Sequence, residues 1–118
     1  MFAPLARLFR KPPPSEPRWL DVATLRERLS GEPKPLVVDV RGVDEFDGPL
    51  GHVEGALNIP LPELAGRQAE IAAAGQAVVC VCLTDKRSSA AAGQLAACGI
   101  ADVTVLRGGI KAWREAGL

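Results

Sequence analysis

The sequence predicts an α/β layer fold with a parallel sheet, on three observations. Leu36 to Val40 is nearly continuous apolar and β-branched residues, Val78 to Val81 repeats that pattern, and Asp102 to Leu106 gives a more alternating third example. Helical stretches lie between and after them, at Leu61 to Ala74, Ser88 to Cys98 and Ile110 to Ala116. Strands that alternate with helices pair in parallel through crossovers, and 118 residues at 47% hydrophobic supply one core rather than two.

Taken in order, residues 1–17 read as a basic, proline-rich, disordered tail. Arg7, Arg10 and Lys11 precede the Pro12-Pro13-Pro14 run and Pro17, which fix φ and remove backbone donors. Phe2, Leu5, Leu8 and Phe9 approach helical spacing beside those cations, but Pro4 interrupts them and so short a helix is marginal in water. The domain is expected over residues 18–118. Asp21 stands where a helix cap would, Val22, Leu25 and Leu29 recur at helical spacing, and Ser30-Gly31 stops the run.

Composition excludes several function classes. Fourteen Lys and Arg balance fourteen Asp and Glu, which leaves no general electrostatic grip on nucleic acid. No apolar run reaches the length of a membrane span, and no export signal is expected. Three cysteines without a CxxC pair fit neither a disulfide framework nor a zinc site with His52, so a reduced, cytoplasmic chain without a metal is expected.

The chemistry is expected at Cys82, because open parallel sheets place their sites beyond the carboxyl ends of the strands. Cys82 follows Val78-Val79-Cys80-Val81 and precedes Leu83, Thr84, Asp85, Lys86 and Arg87, before Ser88 opens an alanine-rich helix. A loop this short, wrapped round the sulfur, turns its N–H groups and the first helical turn toward one spot. Arg87 and Lys86 add positive charge, and the combination favours the thiolate, a soft nucleophile. A buried structural cysteine before an exposed basic loop is the competing reading, and this local pattern leaves both open.

Three further stretches carry a family resemblance. They are Val37-Val38-Asp39-Val40-Arg41 with Glu45-Phe46, then Gly51-His52-Val53-Glu54-Gly55-Ala56-Leu57-Asn58-Ile59-Pro60, and Leu106-Arg107-Gly108-Gly109-Ile110 with Ala112-Trp113. In that order and spacing, from about Trp19 to Leu118, the chain resembles a single-domain rhodanese. The resemblance implies an open, mainly parallel sheet flanked by helices on both faces. It also implies a thiosulfate or persulfide sulfurtransferase in which Cys82 carries sulfane sulfur as a persulfide. Leu83, Thr84, Asp85, Lys86, Arg87 and Ser88 would bind a small anionic donor, a thiol, cyanide or a protein would accept the sulfur, and no cofactor is implied. Family members often have a basic residue directly after the cysteine and glycine at the third loop position, where this chain has Leu83 and Asp85. A persulfide, polysulfide or protein-bound donor therefore stands beside thiosulfate. The alternatives are a non-enzymatic persulfide carrier or protein-binding module and, ranked lower, a phosphatase, whose loop on this fold is one residue longer.

Five other expectations concern residues outside the loop. His52 is expected to tie a loop to its neighbours, and Asp39 and Arg41 to form structural ion pairs with partners such as Glu45. Gly108-Gly109 allow backbone to approach the site closely. Cys80 and Cys98 are expected to be buried, and Trp19 and Trp113 to be packing residues.

Overall fold

A computed structural model describes residues 17–118, so the expected tail lies, Pro17 apart, outside the described residues. The elements run β1 (Trp19–Leu20), α1 (Val22–Leu29), β2 (Leu36–Asp39), α2 (Val43–Phe46), β3 (Leu57–Asn58), a 3₁₀ turn (Leu61–Glu63), α3 (Leu64–Ala74), β4 (Val78–Val81), α4 (Lys86–Ala97), β5 (Val103–Leu106) and α5 (Gly109–Glu115). The five strands form one open sheet in the order β1-β5-β4-β2-β3, with every pair parallel.

The three strands legible in the sequence are the central three. They are buried on both faces, which is why they read as unbroken apolar runs. β1 and β3 escaped the sequence reading because two residues cannot display a period. The helix expected over residues 61–74 divides, since Pro62 sits in the 3₁₀ turn that precedes α3. Helix α1 starts as expected: the Asp21 carboxylate accepts the Thr24 N–H over 2.8 Å.

Side-chain alternation along β4 divides the core. Val78, Cys80 and Cys82 pack with Leu64 and Ile71 of α3 and Ala91 and Leu95 of α4 on one side of the sheet. Val79 and Val81 pack with Leu25 of α1 and Ile110 and Trp113 of α5 on the other. The alanines of α4 keep that helix close to the sheet, and its amino end is thereby held over the end of β4.

Two expectations about packing need correction. Cys98 is exposed, its thiol donating to Gln68 Oε1 over 2.7 Å, because it sits at the C-cap of α4, beyond Leu95, the last buried residue of that helix. Trp19 lies on the outermost strand and stays partly exposed, covered by the Arg107 guanidinium 4.5 Å from its ring centre. No helix among the described residues is long and apolar enough to cross a membrane.

Candidate active site at the end of the central strand

Cys82 directly follows β4, the middle strand. From there the chain passes through α4 to β5 on one side, whereas β2 leads to β3 on the other. The carboxyl ends of β2 and β4 therefore frame the crevice where open α/β sheets hold their ligands.

The loop after Cys82 is shorter than expected. Helix α4 begins at Lys86 rather than Ser88, with Asp85 at the N-cap. Ser89 secures that start by donating to the Asp85 carbonyl from its amide at 3.0 Å and its hydroxyl at 2.5 Å. Asp85, a residue type favoured at N-caps, was the available signal for the earlier boundary. Lys86, Arg87 and Ser88 thus form the first helical turn, whose amides have no acceptor within the helix. The Asp85 side chain makes no cap bond. Cys82 Sγ takes that place: the Ser88 N–H donates to it over 3.4 Å, and the Ser88 hydroxyl shares a 3.2 Å hydrogen bond with it.

Helix α5 holds the same loop from the opposite face of the sheet. The amides of Ile110 and Lys111 donate to the carbonyls of Cys82 and Leu83 over 2.9 and 3.0 Å. Gly109, at φ +59°, makes this approach feasible, since a Cβ there would overlap the carbonyl oxygens of Cys82, Leu83 and Thr84. The close backbone approach expected of Gly108-Gly109 is what the structure has.

The thiol itself is deeper than a nucleophile at an open mouth. Cys82 is 1% exposed, because its side chain falls on the α3–α4 face among apolar residues. Leu83, Thr84 and Lys86 are exposed above it, Asp85 and Arg87 are half-buried, and Ser88 is buried against the sulfur. Burial pushes the neighbouring Cys80 thiol up to about 12, with a smaller contribution from the Cys82 charge.

The charges near the sulfur are paired differently from the sequence expectation. Arg41 is buried and directs its guanidinium to Asp39, with Nη2–Oδ2 at 2.8 Å and Nε–Oδ1 at 3.0 Å. Its remaining N–H groups reach the carbonyls of Glu45 and Gly51 at 3.2 and 2.7 Å. With Arg41 directed to Asp39 and these carbonyls, the Glu45 carboxylate pairs with Arg87 instead, in a two-pronged ion pair with bonds of 2.6 and 2.9 Å. The Arg87 hydrogen bonds hold Glu45 down at about 2, and Glu45 in turn raises Arg87. Arg87 is thus a neutralised cation rather than a free one.

Two loop-fixing side chains complete the wall. His52 stacks on Phe46 with ring centres 3.6 Å apart, and its Nδ1 lies 2.8 Å from the Phe46 carbonyl, a tie between loop and neighbour. Asn58 was overlooked in the sequence. Its Nδ2 donates to the carbonyls of Asp39 and Arg41 at 3.0 and 2.9 Å, a role no local spacing announces. Among the described residues, no group of three or more His, Cys, Asp or Glu side chains is placed to hold a metal ion.

Comparison with known proteins agrees with this geometry. The family profile described as Rhodanese-like domain matches residues 21–116. The chain is 38% identical over 96 residues to the uncharacterized protein YqhL of Bacillus subtilis, covering 81% of this chain and 74% of that protein. A rhodanese-related protein of Thermoplasma volcanium superposes with a TM-score of 0.72 at 29% identity, covering 85% of this chain and 93% of the other. The thiosulfate sulfurtransferase of Pseudomonas aeruginosa superposes with a TM-score of 0.74 at 27% identity, over 86% of this chain but only 19% of that enzyme. With a matching profile over most of its length and a relative this similar, the chain belongs to the rhodanese-like domain family, which includes sulfurtransferases.

Proposed function

We propose that this chain is a sulfurtransferase that carries sulfane sulfur as a persulfide on Cys82. The observation that carries the reading is the pair of Ser88 contacts to Cys82 Sγ, an amide at 3.4 Å and a hydroxyl at 3.2 Å, at the amino end of α4. A sulfur held there accepts hydrogen bonds as an anion would, and the first turn of α4 contributes partial positive charge.

In the first step the Cys82 thiolate attacks the outer sulfur of thiosulfate or of a persulfide RS–SH. The bond between the two donor sulfurs breaks, sulfite or RS⁻ departs with the bonding pair, and Cys82–S–S⁻ or Cys82–S–SH remains. In the second step an acceptor thiolate or cyanide attacks that outer sulfur and returns the thiolate to Cys82. The groups that face the donor are Leu83, Thr84, Asp85, Lys86, Arg87 and Ser88. Because Cys82 is covered, the donor reaches it past the exposed Leu83 and Thr84. A reduced, cytoplasmic setting accords with a free thiol.

The test is intact mass measured after incubating the reduced chain with thiosulfate and, separately, with glutathione persulfide. One added sulfur that cyanide removes is expected. It should vanish in Cys82→Ser and persist in Cys80→Ser and Cys98→Ser. An unmodified mass with both donors would reduce the chain to a binding module on this fold.

A further inference from the structure

We propose that Glu45 selects the sulfur donor, cancelling the charge of Arg87 and thereby favouring the persulfide of a thiol over thiosulfate. The inference rests on Cys82 carrying sulfur as proposed above.

Glu45 is not a casual surface partner. It spans 42 positions of sequence to grip Arg87 with both carboxylate oxygens, at 2.6 and 2.9 Å. The Gly42 N–H donates to the same carboxylate at 3.3 Å, while the buried Arg41 holds the Glu45 carbonyl at 3.2 Å. Held by Arg87 and Gly42, with its backbone anchored by Arg41, the carboxylate sets the plane of the Arg87 guanidinium and occupies the fork that would otherwise receive oxyanion oxygens.

The charges around the sulfur then cancel. Lys86 and Arg87 are positive, Asp85 and Glu45 are negative, and Asp39 and Arg41 neutralise each other below. What remains at Cys82 is the Ser88 amide and hydroxyl and the partial charge of the helix terminus, which suit a single negative charge. Thiosulfate would bring two more negative charges to a thiolate. A protonated persulfide brings none at its reacting end: Cys82–S⁻ and RS–SH give Cys82–S–SH and RS⁻, with one S–S bond broken and one formed. The rim agrees with a carbon-bearing donor, since Leu83, the residue directly after Cys82, is an exposed apolar side chain.

The experiment compares kcat/KM for Cys82 persulfidation by thiosulfate and by glutathione persulfide in wild type, Glu45→Gln and Asp85→Asn. Wild type should prefer glutathione persulfide. Glu45→Gln should raise the thiosulfate-to-persulfide ratio by about tenfold or more, with the gain shrinking as salt is added. Asp85→Asn should move the ratio the same way, and it carries the comparison if circular dichroism shows Glu45→Gln to be unfolded. A wild type that prefers thiosulfate, or a ratio that both variants leave unmoved because both donors slow equally, would overturn the inference. Failure of wild type to take sulfur from either donor would instead overturn the sulfurtransferase reading beneath it.

Discussion

Ser88 gives Cys82 Sγ its hydrogen-bonding surroundings twice over, through a backbone amide at 3.4 Å and a side-chain hydroxyl at 3.2 Å. The amide contact depends on α4 starting at Lys86, which makes Ser88 the third helical residue, the position whose N–H an N-cap side chain ordinarily accepts. Removal of the hydroxyl in Ser88→Ala leaves the amide in place. Alkylation of Cys82 by iodoacetamide, followed by mass spectrometry of the Cys82 peptide, should slow several-fold, and an equal or faster rate would remove the hydroxyl from any role in activating the sulfur.

Arg41 and Asp39 are buried together as an ion pair with Nη2–Oδ2 at 2.8 Å. Replacing Arg41 with Met strands the Asp39 carboxylate and frees the carbonyls of Glu45 and Gly51. Loss of one member of a buried pair costs about 3–5 kcal/mol, so urea unfolding of Arg41→Met should show a reduction of that order. A change under about 1 kcal/mol would mean that solvent or another group replaces the guanidinium.

Glycines on the two helices that meet the loop should respond in opposite directions. Gly109→Ala places a methyl group against the carbonyls of Cys82, Leu83 and Thr84 at a left-handed φ, and should destabilise by about 1–3 kcal/mol or more. Gly93→Ala, in α4 with open space at its Cβ, should stabilise by about 0.5–1 kcal/mol. Thermal or urea unfolding of the two variants decides the matter, and a shared sign would contradict the packing of α5 on the loop.

The Glu45–Arg87 pair predicts a pH signature. Arg87 lowers the Glu45 carboxyl from 4.5 to about 2, so folding favours its charged form. The resulting stability is present above the unfolded value of 4.5 and is lost as pH falls toward about 2. The urea-midpoint difference between wild type and Glu45→Gln should therefore be full at neutral pH and shrink across that acid range. A difference that stays constant through it would show that the carboxylate is not engaged.

Cys80 lies two positions before Cys82, fully buried and with its thiol pushed up to about 12 by desolvation. Brief treatment of the native chain with a maleimide should leave it unmodified, and treatment in denaturant should label it. Labelling of Cys80 in the native state would mean that β4 opens readily at its carboxyl end.

Much of the fold was determined by local pattern in the sequence. Residues 36–40, 78–81 and 102–106 announced the three central strands, because strands covered on both faces must be apolar throughout. The motifs around Asp39, His52 and Gly108-Gly109 indicated the family, and the position of Cys82 after a buried strand indicated where its loop would lie. The two-residue edge strands, the burial of Cys82 and the partner of Glu45 were decided by tertiary structure. Each depends on contacts between segments far apart in the chain. Arg41 takes Asp39, so Glu45 is left for Arg87, 42 positions away, and no periodicity or spacing records which carboxylate a guanidinium will find once the sheet has brought β2 beside β4.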